Sequence, residues 1–193
     1  MKDSVLVTGA SSGLGAHLAK KFHLEGHEVL HHGGRKHYDL ANTEQIAKLA
    51  IEAKKFNVKI LINNAAIVCP NINFVLYDIE KITKMIDVNL KAPILLSHML
   101  LGQLTDMINI NSMVGLEVKK PRTLYSATKW GLRGFSNSLK AEDTGLNILD
   151  VYPTNIKTTP DRLNAMDVEM VVDRIYDAYL RREKELILDG RKG

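Results

Sequence analysis

Short apolar runs and longer stretches of helical period alternate along this chain about six times. Val5 to Thr8, Glu28 to His32, Val58 to Ile62, Met107 to Ile110, Leu146 to Tyr152 and Glu185 to Leu188 read as strands. Between them, Leu14 to Glu25, Thr43 to Lys55, Ile79 to Leu101, Thr123 to Asp143 and Val168 to Arg181 read as helices, the first with Leu14, Leu18 and Phe22 at a spacing of four. The run at Val58 to Ile62 is apolar on both alternating sets, as a strand covered on both faces must be. A parallel pair needs a long crossover, which a helix supplies, so the alternation predicts an α/β fold: a parallel sheet with helices on both faces. In such sheets ligands bind beyond the carboxyl ends of the strands, and segments directly after strands therefore matter most.

Composition narrows the function. Of 193 residues, 45% are hydrophobic and 25% charged, which is globular and not disordered. The net charge of +4 is scattered; Lys119, Lys120 and Arg122 have no interleaved aromatics, so no nucleic-acid partner is expected. One cysteine, Cys69, allows no internal disulfide, reads as a packing residue and suits a reducing compartment. No apolar run reaches membrane-spanning length, and the N-terminus opens a strand where a signal peptide would carry an apolar core. Seven histidines lack an accompanying carboxylate cluster, so no metal is expected. The expectation is a soluble, cytoplasmic protein with no membrane partner.

The segment Thr8-Gly9-Ala10-Ser11-Ser12-Gly13-Leu14-Gly15 ends the first strand and opens the first helix. Glycine tolerates positive φ and lets a ligand approach the backbone. A helix N-terminus presents unpaired N–H groups and partial positive charge, which suit a pyrophosphate. A plain glycine-rich turn is the bland alternative; the strand-to-helix context favours phosphate binding by Gly9, Ser11, Ser12, Gly13, Leu14 and Gly15.

Further along, Asn63-Asn64-Ala65-Ala66 follows a strand, Ser112 ends another, and Tyr125-Ser126-Ala127-Thr128-Lys129 lies thirteen residues beyond Ser112. With the glycine turn, these motifs occur in the order of the short-chain dehydrogenase/reductase family, which the chain resembles from Val5 to about Thr158, with a weaker echo at Asp189-Gly190. The resemblance implies a Rossmann-type, doubly wound, three-layer sheet of about seven strands, one NAD(P)-binding domain over residues 1–193. It also implies hydride transfer between a nicotinamide cofactor and a small carbonyl compound or secondary alcohol.

Tyr125 and Lys129, four apart on a helix, share a face. A phenol of pKa about 10 is a poor acid or base at neutral pH, and a neighbouring ammonium favours its phenolate. Tyr125 is then the general acid in reduction, and the resemblance gives Lys129 the nicotinamide ribose as well. Ser112 can donate to the substrate oxygen where charge develops. Asn89 sits inside the long helix, where the resemblance implies a bend and a main-chain carbonyl that holds a relay water. Residue 93, whose N–H would bond that carbonyl, is Pro93 and has none.

For the cofactor, the resemblance places an acid after the second strand in NAD-preferring members. Here His31-His32-Gly33-Gly34-Arg35-Lys36 stands there with no acid before Asp39, so NADP(H) is expected over NAD(H), with Arg35 reading the 2′-phosphate. Asp39 and Leu40 match positions beside the adenine, Asn64 a strand end against the cofactor, and Pro153, Ile156 and Thr158 the segment meeting the nicotinamide amide. Thr154 and Ala66 replace glycines of the family pattern. Thirty residues from Gly9 to Asp39 are few for the family and imply that the helix after the second strand is lost. Thr159 to Met166 reads as a short substrate-covering loop. The resemblance further implies a homodimer or homotetramer, paired through the helices bearing Asn89 and Trp130. Two other readings are a non-catalytic NADP(H)-binding redox sensor, which has no need of a proton relay, and a sugar-nucleotide epimerase, which needs a longer C-terminal portion.

Overall fold

The computed structural model describes residues 2–68, 71–158 and 165–191. Six parallel strands form the main sheet in the order β2-β1-β3-β4-β5-β8. They are β1 (Lys2–Val7), β2 (His27–His31), β3 (Ile60–Asn63), β4 (Asp106–Ile110), β5 (Asn147–Pro153) and β8 (Glu185–Leu188). Two further short strands, β6 (Ile156–Lys157) and β7 (Met166–Asp167), pair with each other as a separate ribbon. The helices are α1 (Gly13–Leu24), α2 (Thr43–Lys55), α3 (Ile79–Ile86), α4 (Ala92–Leu100), α5 (Thr123–Ala141) and α6 (Val168–Leu180).

Strand side chains alternate between two cores. Val5, Val7, Ile60, Ile62, Ile108, Ile110, Leu149 and Val151 pack under α1 and α6, against Leu18, Phe22, Val171 and Ile175. Leu6, Leu61, Met107 and Ile148 face the other way, against Ile46 and Leu49 of α2, Leu96 of α4 and Leu139 of α5. Both faces are covered, so the strands are apolar throughout, as their sequences require. Between β2 and α2 the chain runs through residues 32–42 without a helix, and β2 stands at the edge of the main sheet.

One line of polar residues crosses the sheet beneath α5. Asn63 and Asn109 are register partners, as are Asn109 and Asp150. Asn63 Nδ2 donates to Asn109 Oδ1 at 2.9 Å, and Asn109 Nδ2 donates to Asp150 Oδ1 at 3.1 Å. Asp150 Oδ2 accepts from Ser136 and from Lys140 of α5, each at 2.6 Å. A fully buried carboxylate persists only with such partners, and they fix α5 against β5.

The long apolar helix of residues 79–100 is continuous but not uniform. Asp87–Lys91 forms a π-turn between α3 and α4, with the Ala92 N–H reaching the Asp87 carbonyl. The extra residue falls just before Pro93, which cannot donate to the preceding turn. The bend expected at Asn89 therefore takes the form of a π-turn.

Candidate active site

The strand order reverses between β2-β1 and β3-β4, and a cleft of about 890 Å³ opens at that point beyond the strand ends. Its floor is the turn after β1. Gly9 has φ +68° and Gly13 φ +55°, conformations that L side chains rarely adopt. A Cβ on Gly9 would lie 2.9 Å from Ala65 Cα, and one on Gly15 would collide with the Gly9 carbonyl and Asn64 Nδ2. The ends of β1 and β3 are laced together around these glycines. Thr8 Oγ1 donates to the Ile62 carbonyl at 3.1 Å and accepts from the Asn64 and Ala65 amides, while Asn64 Nδ2 donates to the Thr8 carbonyl at 2.8 Å.

His32 fixes the turn from the β2 side. It is buried, its Nδ1 accepts from the Gly9 N–H at 3.1 Å, and its Nε2 lies 2.7 Å from the Tyr38 carbonyl. Acceptance at Nδ1 places the proton on Nε2, so the imidazole is neutral and donates to Tyr38. Burial holds its pKa below the ordinary histidine range. Nothing in the sequence singled out His32 from its neighbour His31, since the role depends on a contact 23 residues away.

Every residue expected to bind cofactor lines this cleft except Lys129: Gly9, Ser11, Ser12, Gly13, Leu14 and Gly15 of the turn, Arg35, Asp39 and Leu40 beyond β2, Asn64, Tyr125, Pro153, Ile156 and Thr158. Arg35 is 71% exposed along its side chain, with Nε 3.4 Å from Asp39 Oδ2. Asp39 Oδ1 accepts from the Ala41 N–H at 3.0 Å, so this acid braces both the loop and the guanidinium. Thr154, at a family glycine position, has no positive φ; its Oγ1 accepts from Gly190 N–H at 2.9 Å. The adjoining loop residues 159–164, and Cys69, lie outside the described residues.

At the far end, Tyr125 and Ser112 both reach the cleft wall. Tyr125 is 8% exposed and packs with Met85, Val114 and Leu124. Ser112 leaves the end of β4 and caps the short turn Met113–Gly115, its Oγ accepting from Val114 N–H at 3.4 Å. Lys129 lies behind the wall, only 3% exposed, with Nζ 5.7 Å from the Tyr125 ring centroid and donating to the Ile110 carbonyl at 2.8 Å. Burial pulls its pKa down to about 8. Asn89 is also behind the wall. Its side chain exchanges two hydrogen bonds with the Ile67 backbone, accepting from N–H at 2.7 Å and donating to C=O at 2.9 Å, which ties the π-turn to the loop after β3. A Cβ on Gly131 would lie 2.9 Å from Leu90, so this glycine lets α5 press against the π-turn and bring Tyr125 and Lys129 into place.

Arg191 was not anticipated from the sequence. It pairs with Glu117 through Nη1 at 2.6 Å and with Asp189 through Nε at 2.8 Å, binding the C-terminal segment to the loop after Ser112. The partners in the first pair are 74 residues apart, beyond any local signal.

Comparison with known proteins agrees with this geometry. The family model described as short chain dehydrogenase matches residues 35–167. The chain is 31% identical over 195 residues to the 3-oxoacyl-[acyl-carrier-protein] reductase FabG of Rickettsia prowazekii, covering 88% of this chain and 80% of the relative. Among solved structures, the bulky-bulky ketone specific alcohol dehydrogenase of Comamonas testosteroni superposes with a TM-score of 0.85 at 25% identity, covering 96% of this chain and 86% of the other. A short-chain dehydrogenase of Sphingobium yanoikuyae in complex with NADPH superposes with a TM-score of 0.82, also at 25% identity, covering 96% and 87%.

Proposed function

The chain belongs to the short-chain dehydrogenase family of oxidoreductases, and on that premise we propose that it interconverts a small carbonyl compound and the corresponding secondary alcohol with NADP(H). The observation that carries this reading is that Tyr125 and Ser112 line one glycine-floored cleft, with the Lys129 ammonium 5.7 Å from the Tyr125 ring.

The cleft fits a dinucleotide because its floor excludes side chains where Gly9 and Gly13 take positive φ. Gly9 to Gly15 would hold the pyrophosphate, Arg35 the 2′-phosphate, Asp39 and Leu40 the adenine edge, and Pro153, Ile156 and Thr158 the nicotinamide amide. The bound nicotinamide supplies or accepts the hydride. Tyr125 gives its phenolic proton to the carbonyl oxygen, and Ser112 donates a hydrogen bond to that oxygen as charge develops there. Lys129, charged below about pH 8, favours the phenolate that Tyr125 leaves behind. The main-chain carbonyl of Asn89, beside the donor-less Pro93, would hold the water that returns a proton toward Lys129.

Support for NADP(H) over NAD(H) comes from the exposed Arg35, which lines the cleft and is braced by Asp39. Trp130, 45% exposed on α5, supports a homodimer or homotetramer. Among the described residues no helix is long and apolar enough to cross a membrane, and a cytoplasmic location is part of the same proposal.

The test is NADPH oxidation across a panel of ketones, quinones and aldehydes. At least one is expected to be reduced, with kcat falling about 10²- to 10⁴-fold in Tyr125→Phe while NADPH affinity holds. Tyr125→Phe turnover equal to that of the unchanged protein refutes the assignment. NADPH bound but never consumed would favour a sensor.

A further inference from the structure

Five basic residues line the cleft: Arg35, Lys84, Lys119, Arg122 and Arg191. Two acids line it as well, Asp39 and Glu117, and each already has a partner: Asp39 pairs with Arg35, and Glu117 with Arg191. Lys84, Lys119 and Arg122 remain with no ion pair among the described residues. The guanidinium of Arg122 even has its Nε buried without a hydrogen-bond partner, a costly state for a charged group unless something else compensates it.

These three cations do not belong to the dinucleotide end. The glycine turn and Arg35 lie beyond β1 and β2, whereas Lys119 and Arg122 immediately precede the helix that carries Tyr125, and Lys84 lies on α3, whose Met85 packs in one cluster with Tyr125. Arg122 caps α5 one turn before Tyr125. Lys119 is joined to it by a turn in which the Arg122 N–H donates to the Lys119 carbonyl at 3.0 Å. Lys84 is on α3 next to Met85, which packs in the same cluster as Tyr125 and Leu124. Like charges lining one cleft without acidic partners raise its positive potential, which an anionic ligand offsets.

Resting on the reductase reading above, we infer that the carbonyl substrate is an anion, carrying a carboxylate or a phosphate that Lys84, Lys119 and Arg122 hold while its carbonyl meets Tyr125 and Ser112. Specificity then comes from charge at the pocket rim, and neutral ketones of the same size are poor substrates.

The experiment uses the full chain with NADPH and two matched pairs: 4-oxopentanoate against its methyl ester, and dihydroxyacetone phosphate against dihydroxyacetone. At low ionic strength kcat/KM for a charged member is expected to exceed that for its neutral counterpart at least tenfold, and the pair that shows it distinguishes carboxylate from phosphate. Raising salt should shrink the ratio, and Lys119→Glu/Arg122→Glu should bring it to one or below. Should that double variant fail to fold by circular dichroism, Lys119→Gln alone is expected to lower the ratio severalfold. Charged and neutral members turned over equally, or the neutral ones faster, would overturn the inference and leave the reductase reading standing. If none of the four reacts, calorimetric titration of the NADPH complex decides by the same tenfold criterion in affinity, and failure to bind NADPH at all would count against the reductase reading instead.

Discussion

The Gly9 amide donates to Nδ1 of His32 at 3.1 Å, so the first glycine after β1 is aimed by an imidazole just beyond the end of the neighbouring strand. That bond needs a neutral ring. Burial holds the His32 pKa below its ordinary value, with His37 adding to the depression and the Tyr38 carbonyl and Asp39 opposing it. The unfolded chain therefore takes up a proton near pH 6.5 that the folded chain resists, and stability is lost as pH falls through and below that value. NADPH affinity follows the ring of the folded protein, so it is expected to hold through pH 6.5 and to weaken only at lower pH, where the buried ring takes up its proton. His32→Phe should weaken NADPH binding about tenfold at pH 7 and abolish its share of the pH dependence; fluorescence titration between pH 5 and 8 reads both, and an unaltered profile would remove His32 from this role.

Lys129 carries its charge in the interior at an energetic cost. Its pKa of about 8, against 10.5 for the free group, means the folded state binds fewer protons than the unfolded state between those values. Stability contributed by this group thus rises with pH across that window, and below pH 8 the buried charge costs on the order of 3 kcal/mol. Lys129→Met is expected to raise stability toward urea by about 1–3 kcal/mol at pH 7, while kcat falls about 10²-fold or more. A variant both less stable and fully active would contradict the assignment.

On the proposed reading, Arg35 forms an ion pair with a 2′-phosphate that a neutral ribose hydroxyl pair cannot match. Losing it should cost about 1.5–3 kcal/mol of NADPH affinity, roughly 10- to 150-fold. NADH affinity should stay within about twofold. Parallel titrations of Arg35→Ala check the difference, and tenfold tighter NAD(H) binding by the unchanged protein would reverse the preference.

Two glycines of the turn should respond differently to a methyl group. At Gly15 the added carbon meets backbone, the Gly9 carbonyl, which cannot retreat without breaking the turn. At Gly13 it meets Thr158 at 3.5 Å, ordinary contact, and the penalty is the positive φ alone, about 1–2 kcal/mol. Gly15→Ala is expected to lose NADPH binding and several degrees of Tm; Gly13→Ala should fold and bind more weakly. Calorimetry of both orders them.

What the sequence made legible was periodic or local. Alternating strand residues such as Ile60, Leu61 and Ile62 announced a doubly covered sheet, and the glycines after Val7 announced a tight strand-to-helix turn with positive φ. Tyr125 and Lys129 were readable because their relation is a helical spacing. The polar line Asn63-Asn109-Asp150 was not, because three separate strands supply it and each reads as apolar alone. His32 and Arg191 escaped for the same reason: partners distant in sequence define them. At Asn89 the local oddity was visible, an asparagine shortly before a proline, yet only packing decides between a kink and a π-turn.

The reciprocal bonds between Asn89 and the Ile67 backbone carry a practical lesson for genetics on this enzyme. Both ends of that amide are committed to holding a loop, so an alanine scan at this codon would report damaged scaffolding and lost chemistry as one phenotype. Replacing Pro93 instead, which leaves the amide clasp in place and restores a backbone donor, separates the two.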